Sequence, residues 1–154
     1  MTPPILSLDL PTPDDTAELA ARLAALLRRG DTLLLSGPIG AGKSTFARAA
    51  IRARLGRDEE VPSPTFTLVQ VYEDAESEIW HCDLYRLTDP GDVWELGLDD
   101  AFTEAICLIE WPDRLGDTAP ATALRLDFAA GDSAHRVTLH GDADWQHRLE
   151  PFLD

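Results

Sequence analysis

Several residue types are scarce or missing in this chain of 154 residues. It has two cysteines, Cys82 and Cys107, which form no CxxC pair and stand among apolar residues, so buried free thiols are favoured over a disulfide or metal site. No apolar run reaches 18 residues, which excludes a membrane-spanning helix. The first residues lack the charged and apolar regions of a secretory signal, which predicts a cytoplasmic protein.

Positive charge is also scarce. Thirteen Lys and Arg residues stand against 28 Asp and Glu residues, so the net charge at pH 7 is −15. Such a surface repels phosphate backbones and anionic lipids, which argues against a membrane and against direct, sequence-independent binding of DNA or RNA. Among the thirteen cationic residues only Lys43 is a lysine. That solitary lysine indicates a position where arginine cannot replace an ammonium group.

The length predicts one domain, residues 1–154, with interleaved strands and helices. Apolar patterns predict strands at Ile5–Leu10, Thr32–Ser36, Phe66–Tyr72, Glu78–Leu84, Ala105–Ile109, Ala123–Phe128 and Arg136–His140. They predict helices from a cap at Thr12 to about Gly30, over Lys43–Leu55, within Asp92–Glu104 with a break near Gly97, and over Asp142–Phe152. This order predicts an α/β fold of three layers with a mixed, mainly parallel central sheet.

Residues 37–44, Gly-Pro-Ile-Gly-Ala-Gly-Lys-Ser, match the pattern GxxxxGK[ST] between a predicted strand and a predicted helix. Glycines let successive amides converge on a phosphate, and the helix start adds its positive end. The Lys43 ammonium would reach the β- and γ-phosphates, and the Ser44 hydroxyl suits Mg²⁺. This segment, the phosphate loop, predicts a P-loop NTPase-like domain. Its predicted nucleotide-binding residues are Gly37, Gly40, Ala41, Gly42, Lys43, Ser44 and Thr45.

Three residues outside the phosphate loop suit Mg²⁺ binding or the orientation of water. Asp83 ends a predicted strand, where a carboxylate suits Mg²⁺, although a solvated strand end explains it too. Glu110 follows Ala105–Ile109, and ligands of open α/β sheets lie at the carboxyl ends of strands, so Glu110 suits a base or water-positioning role. Thr65 lies where a switch-like segment would offer a hydroxyl to Mg²⁺, although a proline-stiffened turn is the alternative.

Three neighbouring side chains keep two interpretations each. Trp111 follows Glu110 and would border a nucleotide or a partner, or fill the core. His81 shares a strand face with Asp83 and is either catalytic or a hydrogen-bonded structural histidine. Arg86 is either an arginine finger or part of a salt bridge.

Four motifs in order resemble the TsaE family. They are Gly40–Thr45, Ser63–Phe66, His81–Arg86 and Ile109–Trp111, and the resemblance spans about Leu6–Leu139. It implies a small cytoplasmic P-loop ATPase, weak alone, that is needed to make threonylcarbamoyladenosine in tRNA. It also implies that ATP turnover is coupled to the partner proteins TsaD and TsaB, and that tRNA is reached through their complex.

The same resemblance implies roles for the residues that match the motifs. Lys43 and Ser44 would hold phosphate and Mg²⁺, Thr65 would be a switch hydroxyl, Asp83 and Glu110 the essential carboxylates, and Trp111 a neighbour of the nucleotide. Two positions depart from the family pattern. Pro38 stands where family loops often have an acidic residue, and Ser44 stands where they often have Thr, which keeps the hydroxyl.

Other functions can use the same loop. A small-molecule kinase usually needs an arginine-rich lid, but the arginines after Arg57 are scattered. A GTPase is formally suggested by the DxxG match at residues 113–116, but a chain without asparagine cannot carry the guanine-selecting NKxD motif, so ATP is favoured. A nucleotide-gated interaction module without turnover would share the ATP site. Two separate strand-end carboxylates favour turnover.

Overall fold

Seven strands form one mixed sheet in the computed structural model of the protein, which describes residues 4–38, 40–56, 60–62, 68–87, 89, 91–131 and 134–152. The strands are β1 Leu6–Leu10, β2 Thr32–Ser36, β3 Val69–Glu73, β4 Glu78–Asp83, β5 Ile106–Glu110, β6 Leu124–Ala130 and β7 His135–His140. Their order across the sheet is β1-β7-β6-β2-β5-β4-β3. The central strands β6, β2, β5 and β4 pair in parallel, whereas β1–β7, β6–β7 and β3–β4 pair antiparallel. All strands except β7 and β3 therefore run in one direction, which confirms the predicted mixed, mainly parallel sheet.

Helices cover both faces of the sheet. They are α1 Pro13–Ala24, α2 Lys43–Leu55, α3 Asp92–Leu96, α4 Leu98–Glu104 and α5 Ala143–Arg148, with 3₁₀ helices at Pro112–Thr118 and Glu150–Phe152. In β2, Leu33 and Leu35 pack into the core that α1 and α2 cover, whereas Leu34 packs into a second core on the α4 side. Successive residues of a strand point to opposite faces, so the three consecutive leucines of β2 bury both faces of the sheet. The three predicted layers are confirmed. No helix in the described part of the chain could span a membrane.

The first helix starts as predicted but ends earlier. The Thr12 hydroxyl accepts from the Asp15 amide at 3.2 Å, and the Asp15 carboxylate accepts from the Thr12 amide at 3.0 Å, which forms a capping box. The helix ends at Ala24 rather than near Gly30. Arg54 of α2 donates to the carbonyls of Ala24 and Leu27, at 3.1 and 3.0 Å. These bonds satisfy carbonyls that a longer helix would have used internally, so α2 sets where α1 stops.

Other boundaries shift by small amounts. β5 includes Glu110, and the predicted closing helix divides into α5 and a short 3₁₀ helix. The 3₁₀ helix over Pro112–Thr118 was not predicted. Gly97, with a φ of +83°, separates α3 from α4, which confirms the predicted break. The structure describes β3 only from Val69, so the predicted strand start at Phe66 lies outside the described residues.

The two cysteines are buried and form no disulfide, as the sequence predicts. They lie on adjacent strands, Cys82 in β4 and Cys107 in β5, within the core on the α4 side. Burial raises the pKa of the Cys107 thiol to about 12, so this side chain stays an uncharged thiol at neutral pH. Both cysteines therefore act as small apolar side chains of the core.

Candidate functional site

The phosphate loop connects the end of β2 to the start of α2, as predicted. Gly42 is the residue before the helix and has a φ of +109°, a left-handed conformation that glycine adopts without strain. Gly40, with a φ of +86°, has open space where a β-carbon would stand. The first amides of α2 have no partners within the helix and give its start a partial positive charge. The loop therefore presents glycine backbone and a positive helix end to the adjacent cleft.

Gly37 at the start of the loop lies directly against β6. A β-carbon on Gly37 would overlap the carbonyl oxygen of Phe128, and its φ of +137° is unfavourable for other residues. This close approach follows from the parallel pairing of β2 with β6, in which Ser36 stands opposite Asp127. Only glycine allows the chain to leave the sheet here.

Replacing Gly37 with alanine is expected to lower the free energy of unfolding by about 2–4 kcal/mol, because the overlap with the Phe128 carbonyl and the unfavourable φ would each destabilise the fold. Urea unfolding measures this change. Gly40→Ala is the matched control, since it adds the same methyl group at a positive φ but into open space. Equal losses in the two variants would contradict the steric role assigned to Phe128.

Lys43 is buried at the first position of α2, with 5% of its surface exposed. Its Nζ donates to the Gly37 carbonyl at 2.6 Å and lies 3.6 Å from the centre of the Trp111 ring. Burial lowers the pKa of Lys43, and the negative charges of Glu110 and Asp83 oppose that effect. The loop thus folds around its single ammonium group, with carboxylates close enough to act on it.

Ser44 and Glu110 meet beside the loop. The Ser44 hydroxyl donates to Glu110 Oε1 at 2.8 Å, and His81 Nε2 lies 2.7 Å from Glu110 Oε2. Because β4 and β5 pair in parallel, Asp83 stands opposite Glu110 at the ends of these strands. The Asp83 carboxylate accepts from the Tyr85 amide at 3.1 Å. The sheet therefore brings together carboxylates that are far apart in the sequence.

The Glu110 carboxylate is charged despite its burial. Burial by itself raises the pKa of a carboxyl group, but the hydrogen bonds from His81 and Ser44 and the charge of Lys43 outweigh it. The pKa of Glu110 is consequently below its usual range. A charged carboxylate only accepts hydrogen bonds, so Nε2 of His81 carries the proton in the bond to Glu110.

Trp111 has an unusual backbone for a large residue, with φ +60° and ψ +55°. Such a conformation costs on the order of 1–3 kcal/mol and persists only when neighbouring contacts hold it. The Tyr85 ring supplies one of these contacts, with ring centres 4.9 Å apart. This left-handed backbone places the indole over Lys43. Trp111 also packs against the core on the α4 side. Packing against the core is therefore observed, whereas the role of Trp111 as a neighbour of a nucleotide or partner stays a prediction.

These residues line a cleft of about 530 Å³, a size typical of small-molecule sites. The lining residues are Leu10, Pro11, Thr12, Pro13, Gly40, Gly42, Lys43, Ser44, Thr45, Asp83, Tyr85, Glu110, Trp111 and His135. Most predicted site residues are among them. Gly37 and Ala41 instead support the loop: the Gly37 carbonyl binds Lys43, and the Ala41 methyl group is buried in the core. Thr65 lies outside the described residues.

One side of the cleft was missed by the sequence analysis. His135 Nδ1 donates to the Ala41 carbonyl at 3.0 Å, and the pairing of β1 with β7 sets Leu10 opposite His135. This pairing also brings the junction between β1 and α1, residues 10–13, to the cleft. No local motif marks these residues. Tyr85, by contrast, belongs to the motif His81–Arg86 and could have been found there.

The donor set fits Mg²⁺ bound together with a nucleotide. Among the described residues there is no cluster of three or more His, Cys, Asp or Glu side chains that could hold a metal ion by itself. Mg²⁺ that binds together with a nucleotide needs fewer ligands from the protein, because phosphate oxygens and several waters supply the others. One hydroxyl and nearby carboxylates, as in Ser44, Glu110 and Asp83, suffice for that arrangement.

A glycine-rich loop between a parallel strand and a helix, on a three-layer mixed sheet, defines an α/β P-loop-like fold. Residues 10–138 match the family model described as "Threonylcarbamoyl adenosine biosynthesis protein TsaE". The chain therefore belongs to the TsaE family, and the resemblance drawn from its four motifs is confirmed.

Relatives of similar length support this assignment. The chain is 35% identical over 124 residues to a Rickettsia bellii protein (80% of this chain, 86% of the relative) and 36% identical over 128 residues to a Bacillus subtilis protein (82% and 79%). It is 38% identical over 125 residues to a Streptomyces coelicolor protein (78% and 84%). All three are named tRNA threonylcarbamoyladenosine biosynthesis protein TsaE. The fold is similar to the crystal structure of Bacillus subtilis YdiB, with a TM-score of 0.80 and 28% identity over 98% of this chain and 95% of that one.

Proposed function

We propose that this protein is the ATP-binding and ATP-hydrolysing component of the machinery that makes threonylcarbamoyladenosine in tRNA. Membership of the TsaE family and the names of its relatives support the pathway. One observation carries the ATPase part: Ser44 of the phosphate loop donates to the buried, charged Glu110 beside Lys43. A lysine, a hydroxyl and a carboxylate are thereby gathered at one end of a nucleotide-sized cleft.

The phosphate loop would bind the triphosphate of ATP. The open space at Gly40 and the positive start of α2 suit phosphate oxygens. The Lys43 ammonium donates to the Gly37 carbonyl in this structure, and phosphate oxygens would take over as acceptors when ATP binds. Trp111, whose ring covers Lys43, would border the phosphates.

Ser44 and Glu110 would hold Mg²⁺, directly or through water, and Thr65 remains a predicted further hydroxyl ligand. When bound, Mg²⁺ neutralises phosphate charge and polarises the γ-phosphate. The contact between Ser44 and Glu110 supports assigning Glu110 to the metal side. The sequence predicted both Asp83 and Glu110 for this chemistry and left open which of them holds Mg²⁺ and which orients water. Asp83, opposite Glu110 in the strand register, is then the carboxylate that orients water.

Hydrolysis needs an oriented water and compensation of the charge that develops on the phosphates. Asp83 would orient the water whose oxygen forms a bond to the γ-phosphorus, while the bond from the γ-phosphorus to the bridging oxygen of ADP breaks. Lys43 would stabilise the negative charge on the phosphate oxygens. ADP, inorganic phosphate and a proton are released.

The partners in this proposal are TsaD and TsaB, and tRNA is reached through their complex in the cytoplasm. A net charge of −15 makes direct tRNA binding unfavourable and favours a basic face on the partner complex. Binding to such a face would weaken as the salt concentration rises.

The test is steady-state ATP hydrolysis by the purified protein with and without the TsaD–TsaB pair. We expect slow hydrolysis alone and at least tenfold stimulation by the pair, which disappears in Lys43→Ala. Absence of stimulation would contradict the coupling to these partners. Stoichiometric transfer of the γ-phosphate to a nucleoside, nucleotide or sugar would favour a small-molecule kinase instead. Threonylcarbamoyladenosine formation by both Asp83→Asn and Glu110→Gln would favour a nucleotide-gated module without required turnover.

A further inference from the structure

His81 is buried in the middle of the site without lining the cleft. Its exposed fraction is 0%, and its Nε2 lies 2.7 Å from Glu110 Oε2. The other ring nitrogen, Nδ1, is buried and has no hydrogen-bond partner among the described residues. Within the described part of the chain, Glu110 is therefore the hydrogen-bond partner of this imidazole.

The Glu110 carboxylate is held from two sides. Oε2 accepts from His81 of β4, and Oε1 accepts from Ser44 of α2. His81 and Asp83 share one face of β4, and Asp83 stands opposite Glu110 in the register of β4 and β5. The chain of contacts His81–Glu110–Ser44 thus runs from the sheet into the phosphate loop.

Fold stability by itself does not account for a histidine at this position. Neighbouring strand residues such as Cys82, Leu108 and Ile109 are buried and apolar. A buried polar atom without a partner costs about 1–3 kcal/mol, a cost that an apolar side chain would avoid at Nδ1. The bond to Glu110 is what an apolar replacement would lose, and that bond holds Oε2 while Oε1 faces Ser44.

We propose that His81 is a positioning residue, which holds Oε2 of Glu110 so that Oε1 faces Ser44 and the nucleotide-bound Mg²⁺. This inference rests on the proposed function, because it concerns the carboxylate assigned to the metal side. His81 acts through Glu110 and does not touch the nucleotide. Without its Nε2–H donor, Glu110 would lose a partner for Oε2 and turn away from Ser44.

Two amide substitutions test this role. In His81→Gln the side-chain amide nitrogen reaches about as far as imidazole Nε2, whereas in His81→Asn it is too short to reach Glu110. Isothermal titration with ADP, with and without Mg²⁺, measures how much Mg²⁺ strengthens binding. We expect His81→Asn to reduce that Mg²⁺-dependent gain and the kcat of ATP hydrolysis by about 10–100-fold. Affinity for Mg²⁺-free ADP should stay unchanged, and His81→Gln should restore most of the loss.

The Glu110→Ala background separates positioning from a general structural effect. If His81 acts through Glu110, adding His81→Asn to Glu110→Ala leaves the affinity for Mg²⁺-free ADP unchanged, as it does in the wild-type background, whereas damage to the fold would lower it. A purely structural role would give the same loss of that affinity in both backgrounds and would overturn the proposal. If His81→Asn does not unfold cooperatively, His81→Met, which suits an apolar core and lacks the donor, takes its place with the same expectation.

The remaining outcomes separate this inference from the proposed function. If wild-type protein binds MgADP with a clear Mg²⁺-dependent gain and the Asn, Met and Gln variants keep that gain, the positioning role is wrong and the proposed function stands. If the wild-type protein does not bind ADP with or without Mg²⁺, both are overturned.

Discussion

Lys43→Ala is expected to weaken the binding of MgATP by at least about 100-fold, close to 2.7 kcal/mol. Lys43 is the one lysine of the chain and lies buried in the phosphate loop, where its ammonium group would form charge-assisted bonds to phosphate oxygens. Alanine removes those donors and the positive charge that faces Glu110 and Asp83. Isothermal titration with MgATP measures the change.

Two further variants make the Lys43 result specific. Arg48→Ala removes a positive charge from the same helix at a residue that does not line the cleft, so it should change MgATP affinity by less than about threefold. Lys43→Arg keeps the charge but replaces a compact ammonium with a broad guanidinium fork, so it should resemble Lys43→Ala more than the wild-type protein. Equal effects of Lys43→Ala and Arg48→Ala would show that only net charge matters and would contradict the loop assignment.

Glu110→Gln is expected to reduce partner-stimulated ATP hydrolysis by at least about 100-fold, while the affinity for Mg²⁺-free nucleotide changes little. Glutamine keeps the size of the side chain but removes the charge that accepts from Ser44 and His81. Its amide nitrogen donates where a carboxylate oxygen accepted, so at least one of the bonds to Ser44 and His81 must reverse its direction or break. Steady-state hydrolysis with the TsaD–TsaB pair and titration with ADP measure the two effects.

Asp83→Asn is the comparison variant for Glu110→Gln. Both changes remove one carboxylate charge from neighbouring strand ends. With Glu110 on the metal side and Asp83 orienting water, Asp83→Asn should lower kcat but keep the Mg²⁺-dependent gain in ADP affinity, whereas Glu110→Gln should lose both. The opposite pattern would assign Asp83 to Mg²⁺ and Glu110 to the water. Both variants should be measured at temperatures below their unfolding transitions, so that a shared loss of stability does not affect the comparison.

Much of the phosphate loop could be predicted because its determinants are consecutive in the chain. β2 spans Thr32–Ser36 and α2 spans Lys43–Leu55, both as predicted, since a short apolar run, a glycine-rich turn and a helical pattern are local signals. Asp83 and Glu110 were also predicted as strand-end carboxylates. That these two carboxylates lie side by side was not predicted, because it depends on β4 pairing with β5 rather than with another strand.

The remaining side of the site depends on contacts between distant parts of the chain. His135 and the junction between β1 and α1 reach the cleft because β7 pairs with β1, the first strand. The indole of Trp111 covers Lys43 because its backbone takes a left-handed conformation that Tyr85 helps to hold. Neither a strand order nor a strained backbone can be deduced from residue patterns, since both result from packing of the whole domain.

The sequence by itself determined the chemistry of the phosphate loop, the apolar faces of the strands and the family, because each depends on residues close together in the chain or on ordered motifs. The tertiary structure alone decided that Ser44 and His81 bind the two oxygens of one buried carboxylate. Those bonds join a helix start to two strands from other parts of the chain. They form because parallel pairing brings the ends of β4 and β5 beside the loop, where burial makes each unpaired charge costly and each hydrogen bond directional.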